Sequence, residues 1–206
     1  DPMRPNCPYP FKRLAGVGVA YKLVWALAKK LCGSAKVPDN FRDYLLDALP
    51  IVALGTICDV VPLLNENRVL VSFGLSRMTS SNNLGIRSIL ETSGLMSRLA
   101  KGKGELTARD IAFQIGPRIN AAGRMGVAGV ALELFSTTDT AGALKLADQL
   151  DTLNRKRQEL EAQILLQACE KVESLSEVPN AIVLCGDDWH QGVLGIVATK
   201  LVNRYY

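Results

Sequence analysis

Histidine is almost absent from this sequence: His190 is the one histidine among 206 residues. A metal site built from several histidines, or a mechanism that needs two, is therefore excluded within this chain. No apolar run reaches the roughly 18 residues of a membrane span, and no signal peptide is recognised at the start. We therefore expect a soluble, cytoplasmic protein.

Cysteine pairs with metal-ligand spacing are also missing. The five cysteines are widely spaced and include no Cys-x-x-Cys motif, which argues for reduced thiols and against disulfides or a zinc knuckle. Disorder is excluded, because 48% of the residues are hydrophobic and the formal net charge is only +4. At this length we expect one domain or two small ones.

The positive charge is concentrated in one stretch. Residues 98–124 contain six basic and two acidic residues, an excess equal to the net charge of the whole chain. Such an excess is typical of a surface that binds phosphate or nucleic acid. A solvated basic loop is the alternative on charge alone.

Helical periodicity dominates the sequence. Apolar residues recur at spacings of three and four in five stretches and predict a helix in each: 14–31, 41–54, 68–78, 84–92 and 129–135. Gly33 stands where a helix C-cap glycine belongs. Thr107 followed by Asp110 predicts a capping box, with a helix through Gln114.

The clearest element is an amphipathic stretch from Asp139 to Leu175, which predicts a helix about 55 Å long. A helix of this length more often connects two domains than lies within one. After Pro179, the β-branched run 181–185 predicts a buried strand, and residues 193–202 predict a final helix. The predicted fold class is α/β, with mostly helical content.

Two short patterns near the N-terminal half bear on function. The glycines of Gly16-Val17-Gly18 lack the preceding strand and the third glycine of a dinucleotide loop, which favours close helix packing instead. In the segment ALGTICDVVPL, Asp59 directly follows an apolar run. An unpaired carboxylate in such a place is costly if it is buried, unless it is paired or binds a metal. On the residues alone, a structural role for Asp59 is the more common alternative.

Residues 115–126, IGPRINAAGRMG, are the most unusual tract. Arg118 and Arg124 lie six residues apart with Asn120 between them. Arginine can hold a phosphate through two hydrogen bonds, and glycine-rich backbone exposes N–H donors to anions. The alternative is that these arginines cap helices or pair with acids.

The tract DDWHQGVLGIVATK places Trp189 and His190 between the predicted strand and the last helix. A helix N-terminus with glycines favours anions, and His190 can donate to a phosphate oxygen. Trp189 can stack on a base or fill the core. No Ser/His/Asp grouping, P-loop or HExxH motif is present.

Six motifs together resemble the RecJ family, the single-strand-specific exonucleases of the DHH phosphoesterase superfamily. They occur in family order: LAGVGVAYKL, ALGTICDVVPL, the NR…GL that follows, GPRINAAGRMG, LDTLNRKRQELE and WHQGVLGIVATKLV. The similarity runs from about Cys7 to the last residue. The pair GPRINAAGR and WHxGVxGIVA is the most specific part of it.

The resemblance implies two α/β lobes joined by a long helix, with the active site between them. It divides the chain into the C-terminal part of the DHH domain (1–138), the interdomain helix (139–176) and the start of the DHH-associated lobe (177–206). It also implies 5′-to-3′ hydrolysis of single-stranded DNA with Mn²⁺ or Mg²⁺, in DNA repair and recombination. A monomer is expected, with a helicase and a single-strand-binding protein as candidate partners.

Site residues carry over by position. Asp59 matches the last metal-binding aspartate of the family and is the candidate catalytic residue. Arg118, Asn120 and Arg124 match the tract that faces substrate phosphates. The second-lobe signature matches His190, Gly192 and Gly195, which imply contacts to the terminal nucleotide.

The departure from the family is large. Its Asp-x-Asp motif, the next aspartate and the Asp-His-His motif are absent from this sequence, and the resemblance places all of them before residue 1. Cys58 stands where the family commonly has alanine. With one acid of a two-metal set, we expect this fragment alone to be inactive.

Three alternatives stay open. The first is a phosphodiesterase for short oligonucleotides or cyclic dinucleotides, although such relatives generally carry a glycine-and-histidine signature in the second lobe. The second is a catalytically dead module of the same superfamily that binds single-stranded DNA. The third is a plain helical scaffold, in which Arg118→Ala and Arg124→Ala leave DNA binding unchanged, whereas the phosphate interpretation predicts weaker binding for both.

Overall fold

The computed structural model describes residues 1–33, 36–175, 177 and 179–206. Helices dominate this part of the chain, and a short π-helical turn (Ile111–Ile115) joins two of them. In chain order the helices are α1 (Gly16–Cys32), α2 (Asp39–Cys58), α3 (Asn65–Met78), α4 (Leu84–Thr92), α5 (Leu95–Ala100), α6 (Ala108–Asp110), α7 (Gly116–Arg124), α8 (Gly129–Ser136), α9 (Thr140–Glu173) and α10 (Gln191–Tyr205).

Several local predictions are confirmed. Gly33 closes α1 in the left-handed conformation (φ 59°, ψ 18°), as a C-cap glycine does. Thr107 and Asp110 form the reciprocal capping box at the start of α6. Gly18 is buried in α1, and a Cβ atom there would lie 2.8 Å from Leu14 Cδ1 and 3.6 Å from Leu70 Cδ1 of α3, as close packing requires. The same prediction is not confirmed for Gly16, where the Cβ position is open space.

The main apolar core lies where α4, α7 and α8 pack against the first half of α9, and buried residues of α2 and α3 belong to the same cluster. Its fully buried members include Ile86 and Leu134 of the short helices and Ala143, Ala147 and Leu150 of α9. The α9 residues follow the i, i+4, i+7 spacing of one helix face. The N-terminal half of α9 is therefore a central element of the fold.

A second, smaller core lies between the C-terminal half of α9 and α10. Ile164, Ala168 and Cys169 of α9 meet Val193 and Val197 of α10. The predicted long helix is thus confirmed: it has 34 residues, which corresponds to about 51 Å, and each half is buried in a different core. Residue 176, the expected end of the interdomain segment, lies outside the described residues.

The α/β class is not confirmed, because the predicted strand at 181–185 does not form. The segment has no regular secondary structure, and its side chains alternate: Ile182 and Leu184 are half-buried, while Val183 is 91% exposed. A strand needs a neighbouring strand to complete its ladder of hydrogen bonds, and no strand occurs in the described residues. The β-branched run therefore produces the alternation of exposed and half-buried side chains but no strand.

Residues 116–124 form a helix that we did not predict. The helical path begins at α6, passes through the π-helical turn Ile111–Ile115 and continues as α7. Pro117 lies in the first turn of α7, where its missing N–H costs nothing. The proline at this position was the sequence signal from which the start of α7 could have been predicted. None of the described helices has the length and hydropathy needed to span a membrane.

A buried asparagine ties the N-terminal segment to α3. Asn67 is fully buried. Its Oδ1 accepts from the Ala15 N–H at 3.2 Å, and its Nδ2 donates to the carbonyls of Arg13 and Pro62 at 2.8 and 3.0 Å. The three bonds hold the start of α1 beside the loop that follows α2.

We expect Asn67→Ala to lower the free energy of unfolding by about 3 kcal/mol, because three backbone groups lose their partner in a dry site. Urea denaturation followed by far-UV circular dichroism measures it. The matched control is Asn82→Ala, since Asn82 is exposed and makes one bond to Asp47; its effect should stay within about 0.5 kcal/mol. Equal losses for the two variants would contradict this account.

Candidate functional site

The predicted metal-binding aspartate lies at the C-terminal end of α2. Asp59 caps that helix, and its backbone N–H donates to the Gly55 carbonyl at 3.0 Å. The side chain is exposed and forms no hydrogen bond or ion pair with any described residue. It lines a cavity of about 690 Å³ (the Asp59 cavity), together with the first residues of the chain and the start of α1.

The residue after Asp59 has unusual backbone geometry. Val60 adopts φ 57° and is 84% exposed. A β-branched residue in the left-handed region is strained, and such strain is concentrated at functional sites. The strained turn fixes the direction in which the chain leaves Asp59.

The chemistry of Asp59 suits a hard divalent ion, but the described residues cannot complete a site. An unpaired, accessible carboxylate is the oxygen ligand that Mn²⁺ and Mg²⁺ prefer. Across the described ranges, no group of three or more His, Cys, Asp or Glu side chains is close enough to hold a metal. Asp59 does not form a metal site with the other described residues, and its role as a metal ligand stays a prediction.

Helix α7 is held close to Asp59 through a glycine. A Cβ atom on Gly116 would lie 3.2 Å from the Cys58 Sγ, so a side chain there would displace Cys58 by a few tenths of an ångström. Burial raises the pKa of the Cys58 thiol to about 11. Cys58 thus stays protonated near neutral pH and acts as a packing residue, not a reactive thiolate.

Upstream of α7, part of the basic stretch is neutralised internally. Arg98 forms an ion pair with Asp110 at 2.8 Å. Burial acts to raise the pKa of the Asp110 carboxyl, but hydrogen bonds from Arg98 and Thr107 outweigh it and the pKa is lowered. Lys101 and Lys103 are exposed and pair with no described acid. Because both partners of the Arg98–Asp110 pair lie within the stretch, its net positive excess is unchanged.

The first arginine of the unusual tract is also engaged within the fold. Arg118 forms an ion pair with Asp151 of α9 at 2.8 Å, and both side chains are mostly buried. Its Nε donates to the same carboxylate at 2.9 Å, and its Nη1 donates to the Gln114 carbonyl. Arg118 therefore pairs with an acid, as the alternative interpretation of the tract expected. Its expected role at the substrate stays a prediction.

Arg124, His190 and Gly192 meet where α7 ends and α10 begins (the α7–α10 junction). Arg124 Nη1 donates to the Gly192 carbonyl at 3.0 Å. The Gly192 N–H donates to His190 Nδ1 at 3.1 Å, so this side chain caps α10. Because Nδ1 accepts, the neutral ring carries its proton on Nε2, which is the atom that can donate to a ligand. Three of the predicted site residues are thus in one place.

A cavity of about 210 Å³ (the junction cavity) adjoins this junction. Its walls come from the end of α2, the π-helical turn, α7, α9 and α10, and its lining includes Cys58, Val60, Asn120, Arg124, Arg157 and Ile196. The Asn120 amide is exposed and has no partner among the described residues. Val60 lines both the junction cavity and the Asp59 cavity, so the two are neighbours. Asp59 and two of the predicted phosphate-binding residues, Asn120 and Arg124, therefore line adjacent cavities.

Two predicted residues differ in their surroundings. Gly192 is required by contact, because a Cβ atom there would lie 2.1 Å from the Arg124 carbonyl oxygen. Gly195, one turn later, is exposed, and its Cβ position is open space. Gly195 is thus not needed for packing, and its contact to the terminal nucleotide stays a prediction.

Arg157 of α9 is a residue that our sequence reasoning missed. It lines the junction cavity and forms an ion pair with Glu161 at 2.6 Å. The sequence signal for the ion pair was the i, i+4 spacing of an arginine and a glutamate on one helix face. That spacing does not show whether the pair faces a cavity.

Comparison with known proteins adds the evidence of homology. No family model matches the chain. The curated relatives are single-stranded-DNA-specific exonucleases, and each is a RecJ protein. RecJ of Bacillus subtilis is 40% identical over 205 residues, which are 100% of this chain and 24% of the relative. RecJ of Dickeya dadantii is 40% identical over 213 residues, covering 100% of this chain and 36% of the relative.

Solved structures agree. A crystal structure of exonuclease RecJ bound to manganese matches with a TM-score of 0.78 and 37% identity, covering 97% of this chain and 47% of that one. RecJ of Thermus thermophilus in complex with Mg²⁺ matches with a TM-score of 0.76 and 37% identity, covering 97% and 29%. The chain is thus homologous to a segment of RecJ, and it spans about a third or less of the curated relatives named here.

The different surroundings of Gly192 and Gly195 lead to a testable prediction. We expect Gly192→Ala to lower the free energy of unfolding by about 2 kcal/mol, because the new methyl group collides with the backbone of α7. Gly195→Ala should be neutral or stabilise by up to about 1 kcal/mol, because alanine favours the helix and meets no neighbour. Chemical denaturation of both variants measures the difference, and equal effects would show that α7 does not contact α10 as described.

Proposed function

We propose that this chain is part of a RecJ exonuclease that hydrolyses single-stranded DNA from the 5′ end in DNA repair and recombination. The observation that carries the proposal is homology to RecJ over the whole chain. It is supported by the position of Asn120 and Arg124 on a cavity next to the one that Asp59 lines. The proposed setting is a cytoplasmic monomer, with a helicase and a single-strand-binding protein as candidate partners.

The proposed division of the chain follows its two cores. Residues 1–138 would belong to the DHH domain, 139–176 would be the interdomain helix, and 177–206 would begin the DHH-associated lobe. The support is that α9 contributes one half to each core, as expected for a helix that joins two units.

In the proposed mechanism, the residues of this chain hold the DNA backbone and one side of the metal site. Asp59 would bind Mn²⁺ or Mg²⁺, which when bound activates water and neutralises charge on the scissile phosphate. Arg124 and Asn120 would orient a phosphate at the junction cavity through charge-assisted and neutral hydrogen bonds. His190 Nε2 and the N-terminal N–H groups of α10 would hold the terminal nucleotide.

Arg118 has a different proposed role. Its guanidinium is already bonded to Asp151 and to the Gln114 carbonyl, so it would support α7 on α9. The phosphate contact would then rest on Arg124, whose side chain is exposed.

The first test measures nuclease activity of this chain. On a labelled single-stranded oligonucleotide with Mn²⁺, we expect no release of nucleotides, because the described residues supply one carboxylate where a two-metal site needs several ligands. Full-length RecJ of Bacillus subtilis is the positive control. Robust activity that Asp59→Ala abolishes would overturn the expectation and assign the complete active site to this chain.

The second test measures binding of single-stranded DNA as a function of salt. We expect Arg124→Ala to weaken binding and to reduce the slope of log K against log salt by about 0.7, the value for one lost phosphate contact. Arg77→Ala is the charge-matched control, since Arg77 is exposed on α3 and distant in sequence from both cavities. Arg118→Ala should lower stability and leave the slope unchanged. If all three variants bind as the unmodified chain does, the scaffold alternative is correct.

A further inference from the structure

A buried carboxylate on α9 connects the junction cavity to α10. The Glu161 side chain is 8% exposed. One of its oxygens pairs with Arg157 Nη1 at 2.6 Å, and the other pairs with Lys200 Nζ of α10, also at 2.6 Å. One carboxylate oxygen therefore binds a cation of α9, and the other binds a cation of α10.

Arg157 is fixed by these contacts. Its Nη2 donates to Asn154 Oδ1 at 2.8 Å, while Nη1 is held by Glu161. Its Nε is buried and has no partner among the described residues. The guanidinium is thus immobilised at the wall of the junction cavity, beside Asn120 and Arg124.

The same arrangement continues along α10. Gly192, Ile196 and Lys200 follow one another at i, i+4 spacing and so share a helix face. Gly192 contacts the end of α7, Ile196 lines the junction cavity, and Lys200 binds Glu161. One face of α10 therefore contacts α7 at one end and is held by a buried charge on α9 at the other.

Burying this charge has an energetic cost. Replacing a buried ion pair by apolar residues is often neutral or stabilising, so Glu161 is a poor choice if stability alone is needed. An ion pair is directional, however, and it holds α10 in one register on α9. The surrounding cluster also keeps a net positive charge beside Arg124, because one carboxylate faces two cations.

We propose that Glu161 is a positioning residue: through Arg157 and Lys200 it fixes α10 against α9 and thereby keeps His190 and Gly192 at the end of α7, in the geometry that binds a DNA phosphate. Only the part of this inference that concerns DNA binding rests on the proposed function. The position of α10 can be measured without DNA.

Trp189 is a built-in reporter of that position. It directly precedes the residue that caps α10, its Nε1 donates to Gln167 of α9 at 2.7 Å, and Lys171 Nζ lies 5.9 Å from its ring centroid. The chain has two tryptophans, so a Trp25→Phe background leaves Trp189 as the sole tryptophan emitter.

The experiment places Lys200→Met in the Trp25→Phe chain. Lys200 is half-exposed, so its replacement leaves the cores intact and avoids the unfolding that a Glu161 variant risks. We expect a shift in Trp189 emission and a roughly three- to tenfold loss of affinity for a 5′-phosphorylated single-stranded oligonucleotide, measured by fluorescence polarisation. Lys200→Arg should restore both.

Arg204→Met is the matched control. Arg204 pairs the same two helices through Glu173 at 2.8 Å, but it lies one turn further from the junction. We expect it to leave emission and affinity unchanged. The proposal is overturned if Lys200→Met leaves emission unchanged, if emission shifts without any loss of affinity in a chain that binds DNA, or if Arg204→Met has an equal effect. If the unmodified chain binds no DNA, the proposed function fails, and the emission comparison still decides whether Lys200 positions α10.

Discussion

The structure depends on the burial of α9 in two apolar cores at once. Its first half packs with α4, α7 and α8, and its second half packs with α10. A single rigid helix shared in this way couples the two units mechanically, because neither half can rotate without exposing apolar surface. The placement of α10 relative to α7 therefore follows from the geometry of α9, and so does the cavity between them.

Between the two cores, α9 changes character. Asp151, Asn154, Arg157 and Glu161 replace the apolar stripe with a bonded polar segment. Asp151 and Glu161 each keep one cationic partner on α9 itself, Arg155 and Arg157. The second ion pair of each carboxylate joins α9 to its neighbours, through Arg118 of α7 and Lys200 of α10. The polar middle of α9 thus selects one arrangement of the neighbouring helices, whereas apolar contacts alone would tolerate small slides. The same segment places Arg157 at the wall of the junction cavity, which Arg124 also lines.

Much of this architecture could be predicted from local physics. The 3.6-residue periodicity of α9, the left-handed glycine at 33 and the capping box at 107–110 depend on nearby residues, and all three formed. The segment 181–185 shows the limit of such reasoning. Its β-branched residues favour an extended backbone, but a strand exists only with a partner that local sequence does not specify. The clustering of Arg124, His190 and Gly192 was expected from resemblance, while Arg157, 33 residues beyond Arg124, joined the cavity through packing that no local pattern encodes.

The tract GPRINAAGR shows how helical geometry separates residues that look equivalent in sequence. Arg118 and Arg124 are six residues apart, which places them about 120° apart around the axis of α7. Asn120 and Arg124 are four apart and share a face. One arginine therefore reaches Asp151 while the other reaches the junction. Once the tract is recognised as a helix, the two arginines lie on different faces of it. The proposed roles, Arg118 anchoring α7 and Arg124 binding a ligand, follow from that spacing.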